Sequence, residues 1–200
     1  MARYGVINDN SISEALKVSV QQQIEGDVTT VIGYLGEGSS KDLQSNWDSP
    51  FEGDSAGQNA SRVAGGVQTL TQGENNAGLT SVSSFNSKQV WSGNAPMTFN
   101  VVMVFKASSD PKNEVNNAIM ALERMASPEL NENFVGGRTP QSITLNIGRT
   151  NLYTDIVIES VSSELDASKT DEGYFLSNTV TLTLTAKNVI NRSRIQSTFN

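Results

Sequence analysis

The sequence predicts a mainly β, α+β fold: a barrel or sandwich with one helix packed on it, preceded by a loop-rich N-terminal region. Three observations carry this. Runs in the second half of the chain alternate apolar and polar residues with the period of two that a half-buried strand requires. A single segment, after Asp110-Pro111, joins a helix start to an apolar stripe of helical period. The composition, 36% hydrophobic and 6% aromatic with a polar excess of Ser, Thr, Asn, Gln and Gly, suits extended strands, long loops or surface buried on assembly.

Taken in order, Leu16, Val18 and Val20 alternate as a strand would, and residues 28–35 form a second, β-branched run, together a β-rich arm or hairpin. Residues 36–96 hold most of the glycines and few large apolar side chains, a stretch long for a plain loop. Within it, residues 56–70 suggest a short helix with Val63, Val67 and Leu70 on one side. Gly65 and Gly66 each cost about 1 kcal/mol there relative to alanine, so partial order completed against a partner is the expectation. The chain thus divides at sequence level into an arm and glycine-rich region over 1–89 and a β-domain over 90–200.

That domain opens at Val90-Trp91 and, after a turn at Ser92 to Pro96, places Met97, Phe99, Val101, Met103 and Phe105 on one strand face. Its other face starts polar and turns apolar at Val102 and Val104, which predicts cover on both sides for half its length. Asp110 is an N-cap, Pro111 the first helical residue and Glu114 an acid in the first turn, opening a helix over 111–126. Val115, Ala118, Ile119, Leu122, Met125 and Ala126 form its stripe, and Pro128 stops it. Ser142 to Gly148 and Val157 to Val161 alternate around a turn at Gly148-Arg149-Thr150-Asn151. In the last strand Val180, Leu182, Leu184 and Ala186 face one way, while Thr179, Thr181, Thr183, Thr185 and Lys187 face water or a partner. No fixed-period repeat emerges, which disfavours solenoids and propellers.

Charge and composition exclude several classes of function. A formal net charge of −7 with no lysine or arginine run repels phosphate backbones. An apolar run as long as any in the sequence, Val101 to Phe105, is far short of the roughly 20 residues that cross a bilayer, and Met1-Ala-Arg-Tyr-Gly opens no signal peptide, so folding in a cytoplasm is expected. Without cysteine there is no disulfide, thiolate or zinc–sulfur site, and without histidine the Ser-His-Asp and Cys-His nucleophile pairs are eliminated. Carboxylate chemistry, as in glycosidases or oxygen-ligated metal sites, survives.

The candidate chemical motifs each have a plainer reading. Gly36-Glu-Gly-Ser-Ser-Lys41 lacks the spacing of a phosphate-cradling loop. Asn8-Asp9-Asn10 with Ser11 and Ser13 lacks the glycine and closing glutamate of a calcium loop and reads as a turn or cap. Glu159 and Glu164, with Asp155 near, are conceivable catalytic carboxylates, but solvated acids are the default in so acidic a chain. The glycosylation triplets at Asn59 and Asn191 are chance matches. Trp91 reads as a core anchor ahead of a ligand platform, and so do Phe99 and Phe105. Arg192 and Arg194 fit either an acidic patch on a neighbouring subunit or a solvated tail. No catalytic, metal or cofactor-binding residue is therefore assigned, no cofactor is expected, and the chain is read as a non-enzyme.

Three stretches resemble the tail-tube fold family of contractile-tailed bacteriophages, and most closely its baseplate tube-initiator or tube-cap members. They are the Trp91-led strand and Asp110-Pro111 helix ending at Pro128, the proline-led strand Arg138-Thr-Pro140 with Ile143 to Gly148, and the closing strand from Leu182 with its tail Asn191-Arg192 to Phe199. The resemblance implies a virion protein of the tail and baseplate, assembled in the host cytoplasm as a homo-hexameric ring. Its implied partners are the baseplate hub and wedge proteins, the adjacent tail tube ring and the tape-measure protein, with DNA passing the lumen unbound and no membrane contact. The alternatives are the repeating tail tube subunit and, from another class, a carbohydrate-binding β-sandwich or carboxylate glycosidase. The last is disfavoured by having only two tryptophans and no aromatic cluster in the sequence.

Overall fold

The structure is a computed structural model that describes residues 1–7, 9, 11–24, 26–48, 88–130 and 136–199. The chain divides into two compact units, one of Met1–Leu43 with Pro96–Asn200 and one of Gln44–Ala95. The helix expected over 56–70 and the triplet at Asn59 lie outside the described residues.

In the first unit, β1 (Ala2–Gly5), β2 (Lys17–Ile24), β3 (Asp27–Leu35) and β4 (Ser40–Asp42) precede the second unit in sequence, and β7 (Thr98–Lys106), β8 (Ile143–Ile147), β9 (Asn151–Ser163) and β10 (Ser177–Ala186) follow it. They form one sheet in the order β1-β3-β2-β8-β9-β10-β7-β4. A further pairing of Tyr34 with Val104 and Leu35 with Met103 joins β3 to β7 and closes a six-stranded antiparallel barrel. The expectation of a mainly β barrel with a packed helix holds at this level. The division near residue 90 needs correcting: β1 to β4, assigned to an arm, belong to the barrel sheet. The physical reason is the apolar inward row of β2 and β3, where Val18, Val20 and Val31 are fully buried and need the later strands to cover them.

The inward rows are those the alternation gives. Met97 just before β7, Phe99, Val101, Met103 and Phe105 from β7, Ile143 and Leu145 from β8, and Val180, Leu182 and Leu184 from β10 are all buried in one core. The interior is therefore packed side chains. Val102 and Val104, on the outer face of β7, are half-buried beside Gly36, whose backbone N–H donates to the Val102 carbonyl at 2.8 Å.

The helical stretch begins with a wide π-turn, Lys112–Asn116, and continues as α1 (Asn117–Ala126). Asp110 caps it as expected, its Oδ1 accepting from the Asn113 N–H at 3.2 Å. Glu114 turns back onto the preceding loop and accepts from the Ser108 and Ser109 N–H groups at 2.5 and 3.1 Å and from the Ser109 hydroxyl at 3.0 Å. Burial pushes its carboxyl up, but these donors outweigh burial and hold it below the usual glutamate value. Ala118, Ile119, Ala121, Leu122 and Met125 are buried against β9, β1 and β3. Buried Gln22 ties the helix end to the lead-in of β8 by donating to the carbonyls of Met125 at 3.2 Å and Gln141 at 2.8 Å.

Two glycines are set by close approach. Gly5, at φ +91°, would place a Cβ 2.0 Å from the Ile32 carbonyl oxygen, and Gly36 would place one 2.7 Å from Val102 Cγ1. In the second unit, β5 (Ser45–Asp48) and β6 (Val90–Asn94) form a two-stranded antiparallel sheet.

Gly5→Ala should lower unfolding stability by about 1–3 kcal/mol, the scale of a non-glycine forced into such a conformation. Leu182→Ala should lower it by about 2–5 kcal/mol through a core cavity. Urea unfolding followed by circular dichroism checks both, and a change under 0.5 kcal/mol in either, roughly that of a neutral surface substitution, would contradict the packing described.

Candidate assembly surface

Outward from the barrel, the faces of β9, β10 and β7 form a mainly polar surface interrupted by half-buried Val102, Val104 and Val157. Thr181 lies between Val102 and Ser162, Thr183 between Asn100 and Ser160, and Thr185 between Thr98 and Val157. The threonine row is half-buried by these neighbours, while Thr98, Asn100, Ser160 and Ser162 are exposed. The surface therefore offers hydroxyls and amides at strand spacing, with few charges. Glu159 is the extra residue of a bulge in β9 and accepts from the Thr185 hydroxyl at 2.5 Å.

This surface adjoins an open strand edge. Ile143 pairs with Ile156 where β8 begins, and β9 continues past it, so residues 157–163 pair with β10 alone among the described residues. A second open edge is β1, which pairs in parallel with β3 and with no other described strand. Unpaired strand edges are templates for another chain.

The C-terminal tail crosses the other end of β9. Asn191 caps α2 (Arg192–Ile195), accepting from the Ser193 N–H at 3.3 Å, and Phe199 makes an isolated bridge to Asn151. Lys41 of β4 donates to the Tyr153 hydroxyl at 3.2 Å and sits 4.8 Å from the centre of the Phe199 ring. Tyr153 packs on Phe99 at 4.8 Å between ring centres. Beneath the tail lies a cavity of about 430 Å³, with Met97, Phe99 and Ile156 on its apolar side and Asp155 and Arg194 among its polar lining. Asp155 holds φ +58° at the bulge where β9 passes β8, a conformation unusual for a non-glycine residue.

The residues weighed from sequence are dispersed. Asp155 and Glu159 are four residues apart on β9, about 13 Å at strand rise, and Glu164 lies past its end, with its N–H and carbonyl bonded to the side chain of buried Asn178. Arg192 and Arg194 are exposed on the tail. Gly36 to Lys41 links β3 to β4, both on the edge of β7, and so has no strand-to-helix geometry. Asp9 is a turn residue: its carboxylate accepts from the Ser11 N–H at 2.7 Å, and from the Ser11 and Tyr34 hydroxyls. Lys17, opposite Tyr34 in the β2–β3 pair and almost fully buried, donates to the Asp9 carbonyl at 2.6 Å and to Glu14 at 2.7 Å. No group of three or more acidic side chains placed to hold a metal occurs among the described residues. No described helix is long and apolar enough to cross a membrane.

Trp91 departs from expectation. It lies on β6, and its indole is exposed, with Nε1–H donating to Asn94 Oδ1 at 3.1 Å. Its cross-strand partner is Trp47, also exposed, so strand pairing makes neighbours of the chain's two tryptophans. Sequence reasoning missed the pair because the partners are far apart along the chain, and only the Ser45-Asn-Trp-Asp48 and Val90-Trp-Ser-Gly-Asn94 pairing brings them together.

No protein-family model matches the chain, and no curated protein is significantly similar to it. The described residues define a mainly β protein built on a closed six-stranded barrel with a helix whose apolar face joins its core.

Hydrogen bonds from Ser11 and Tyr34 hold the Asp9 carboxyl down at about 2, below its ordinary value near 4. A depressed carboxyl stabilises the fold above its unfolded value and loses that contribution as pH falls through the folded value. Stability should therefore decline between about pH 4 and pH 2, and Asp9→Asn should flatten this decline. Urea midpoints across the window test it; identical pH profiles for the two proteins would refute the role of Asp9.

Proposed function

We propose that this chain is a structural virion protein of a phage tail baseplate, forming a homo-hexameric ring on the central hub and nucleating the tail tube. The observation that carries this reading is the coexistence of two strand edges that no other described strand covers with a sparsely charged threonine and serine face on a barrel whose own interior is filled. A filled barrel has no channel, so a lumen must lie between copies. The β1 edge of one copy beside residues 157–163 of the next makes a head-to-tail contact between different surfaces, the kind that closes into a ring. Such closure also removes the edges that would otherwise favour aggregation.

In this reading the threonine face supplies a polar wall, and the net charge of −7 keeps passing DNA from adhering. Initiation is templating, with one rim matched to the hub and the other to the first tube ring. The exposed Arg192 and Arg194, each without an ion-pair partner among the described residues, are assigned to the acidic surface of a neighbour.

Electron microscopy of the concentrated protein, with its solution mass, tests the proposal. Rings with a central hole are expected. Long tubes would move the assignment to the repeating tube subunit, and absence of rings even on purified hub would overturn the proposal. Arg192→Glu should leave the far-ultraviolet circular dichroism unchanged and block ring stacking; normal stacking would remove the tail from the contact.

A further inference from the structure

We propose that the β5–β6 sheet carries a binding site for a neutral oligosaccharide, with Trp47 and Trp91 as its stacking platform. Trp47 and Trp91 are cross-strand partners, next to a bulge that leaves Ser92 as an extra residue on β6, and so project from the same face. They are 56% and 55% exposed, which leaves more than half of each residue's surface available to a ligand. The same face carries Ser45 opposite Asn94. Asn94 accepts from the Trp91 indole N–H at 3.1 Å, which fixes the ring and leaves the Asn94 amide nitrogen without a partner among the described residues. Asn46 and Asp48 alternate to the other face, so the tryptophan face bears no charged side chain from β5 or β6.

The chemistry of this face selects its ligand. An indole face is electron-rich, and the C–H face of a pyranose ring presents weakly positive hydrogens to it, while amide and hydroxyl groups at the edge meet the sugar hydroxyls. The absence of charge disfavours phosphorylated or sulfated ligands, and the net charge of −7 disfavours nucleic acid, the other common partner of stacked aromatics. A second copy of the chain is a poor occupant. Two tryptophans bury at most roughly 300–500 Å² in all, whereas stable protein interfaces need about 1,200 Å² or more. That area suits one or two sugar rings.

Because Trp47 and Trp91 are the chain's only tryptophans, intrinsic tryptophan fluorescence of the full-length protein reads this face alone. Titration with tetrasaccharides of β-1,4-glucose, β-1,4-N-acetylglucosamine and α-1,4-glucose should give a saturable spectral shift with at least one of them. Trp91→Ala and Trp47→Ala, compared by calorimetry, should each weaken that binding roughly tenfold or more, and Trp→Phe at either position should weaken it less. The circular dichroism of the variants should match the parent, since both side chains are exposed. The proposal fails if none of the sugars shifts the emission at up to roughly 10 mM, where even a weak site of millimolar Kd would be largely filled. It also fails if both alanine variants bind as the parent does, or if emission shifts with protein concentration alone, which would make the face a contact between copies.

Discussion

The barrel depends on its seam. β3 and β7 meet over only two residue pairs, Tyr34 with Val104 and Leu35 with Met103, and the Gly36 N–H extends the contact to the Val102 carbonyl. Antiparallel sheets of this size exist open or closed, and closure decides whether the inward rows of all six strands face one another or face water. Beyond the seam, β4 continues along the same edge of β7 from Thr98 to Asn100, so that edge is covered at both ends. Gly36 is the residue that lets the chain pass so close, since a β-carbon there would collide with Val102.

Closure also explains where the helix sits. β8 stops short of β9, and the apolar stripe of α1 enters the core against β9, β1 and β3, completing what the strands leave uncovered. Its position is secured by polar anchors at both ends: Glu114 on the loop before it, Asn116 accepting from the Phe175 N–H at 2.8 Å, and Gln22 on the Met125 carbonyl. Glu114 and Gln22 are buried and demand a partner, and Asn116 is half-buried, so together they specify one placement of the helix and not merely a hydrophobic contact.

Sequence alone carried the local elements well and their partnerships poorly. The β7 row from Met97 to Phe105, the Asp110 cap, the helical stripe and the alternation of β10 were legible because each is a short-range pattern enforced by burial of one face. β1 was not, since Ala2-Arg-Tyr-Gly5 has too few apolar residues to declare a strand and is held in parallel to β3 by long-range pairing. The extra residues in β9 at Asp155 and Glu159 shift its facing pattern, so the alternation read from Val157 to Val161 does not by itself give the face. Of the candidate surface, the threonine row was legible. The open edge beside it was not, because an edge is defined by where the neighbouring strand ends. The paired tryptophans show the same limit from the other side: a neighbour relation made by pairing distant segments leaves no mark in either segment.

The second unit leaves the chain between Leu43 and Pro96, and its two ends are held together by the Ala95 N–H donating to the Gln44 carbonyl at 3.2 Å. For folding, this stem is a short circuit. Closing the seam between β3 and β7 costs chain entropy that grows with the length of intervening loop, but once the stem has formed, the residues beyond it no longer count toward that length. The barrel's folding rate is thereby uncoupled from the size of what the stem carries, and insertions or deletions there can accumulate while the path to the closed barrel stays the same.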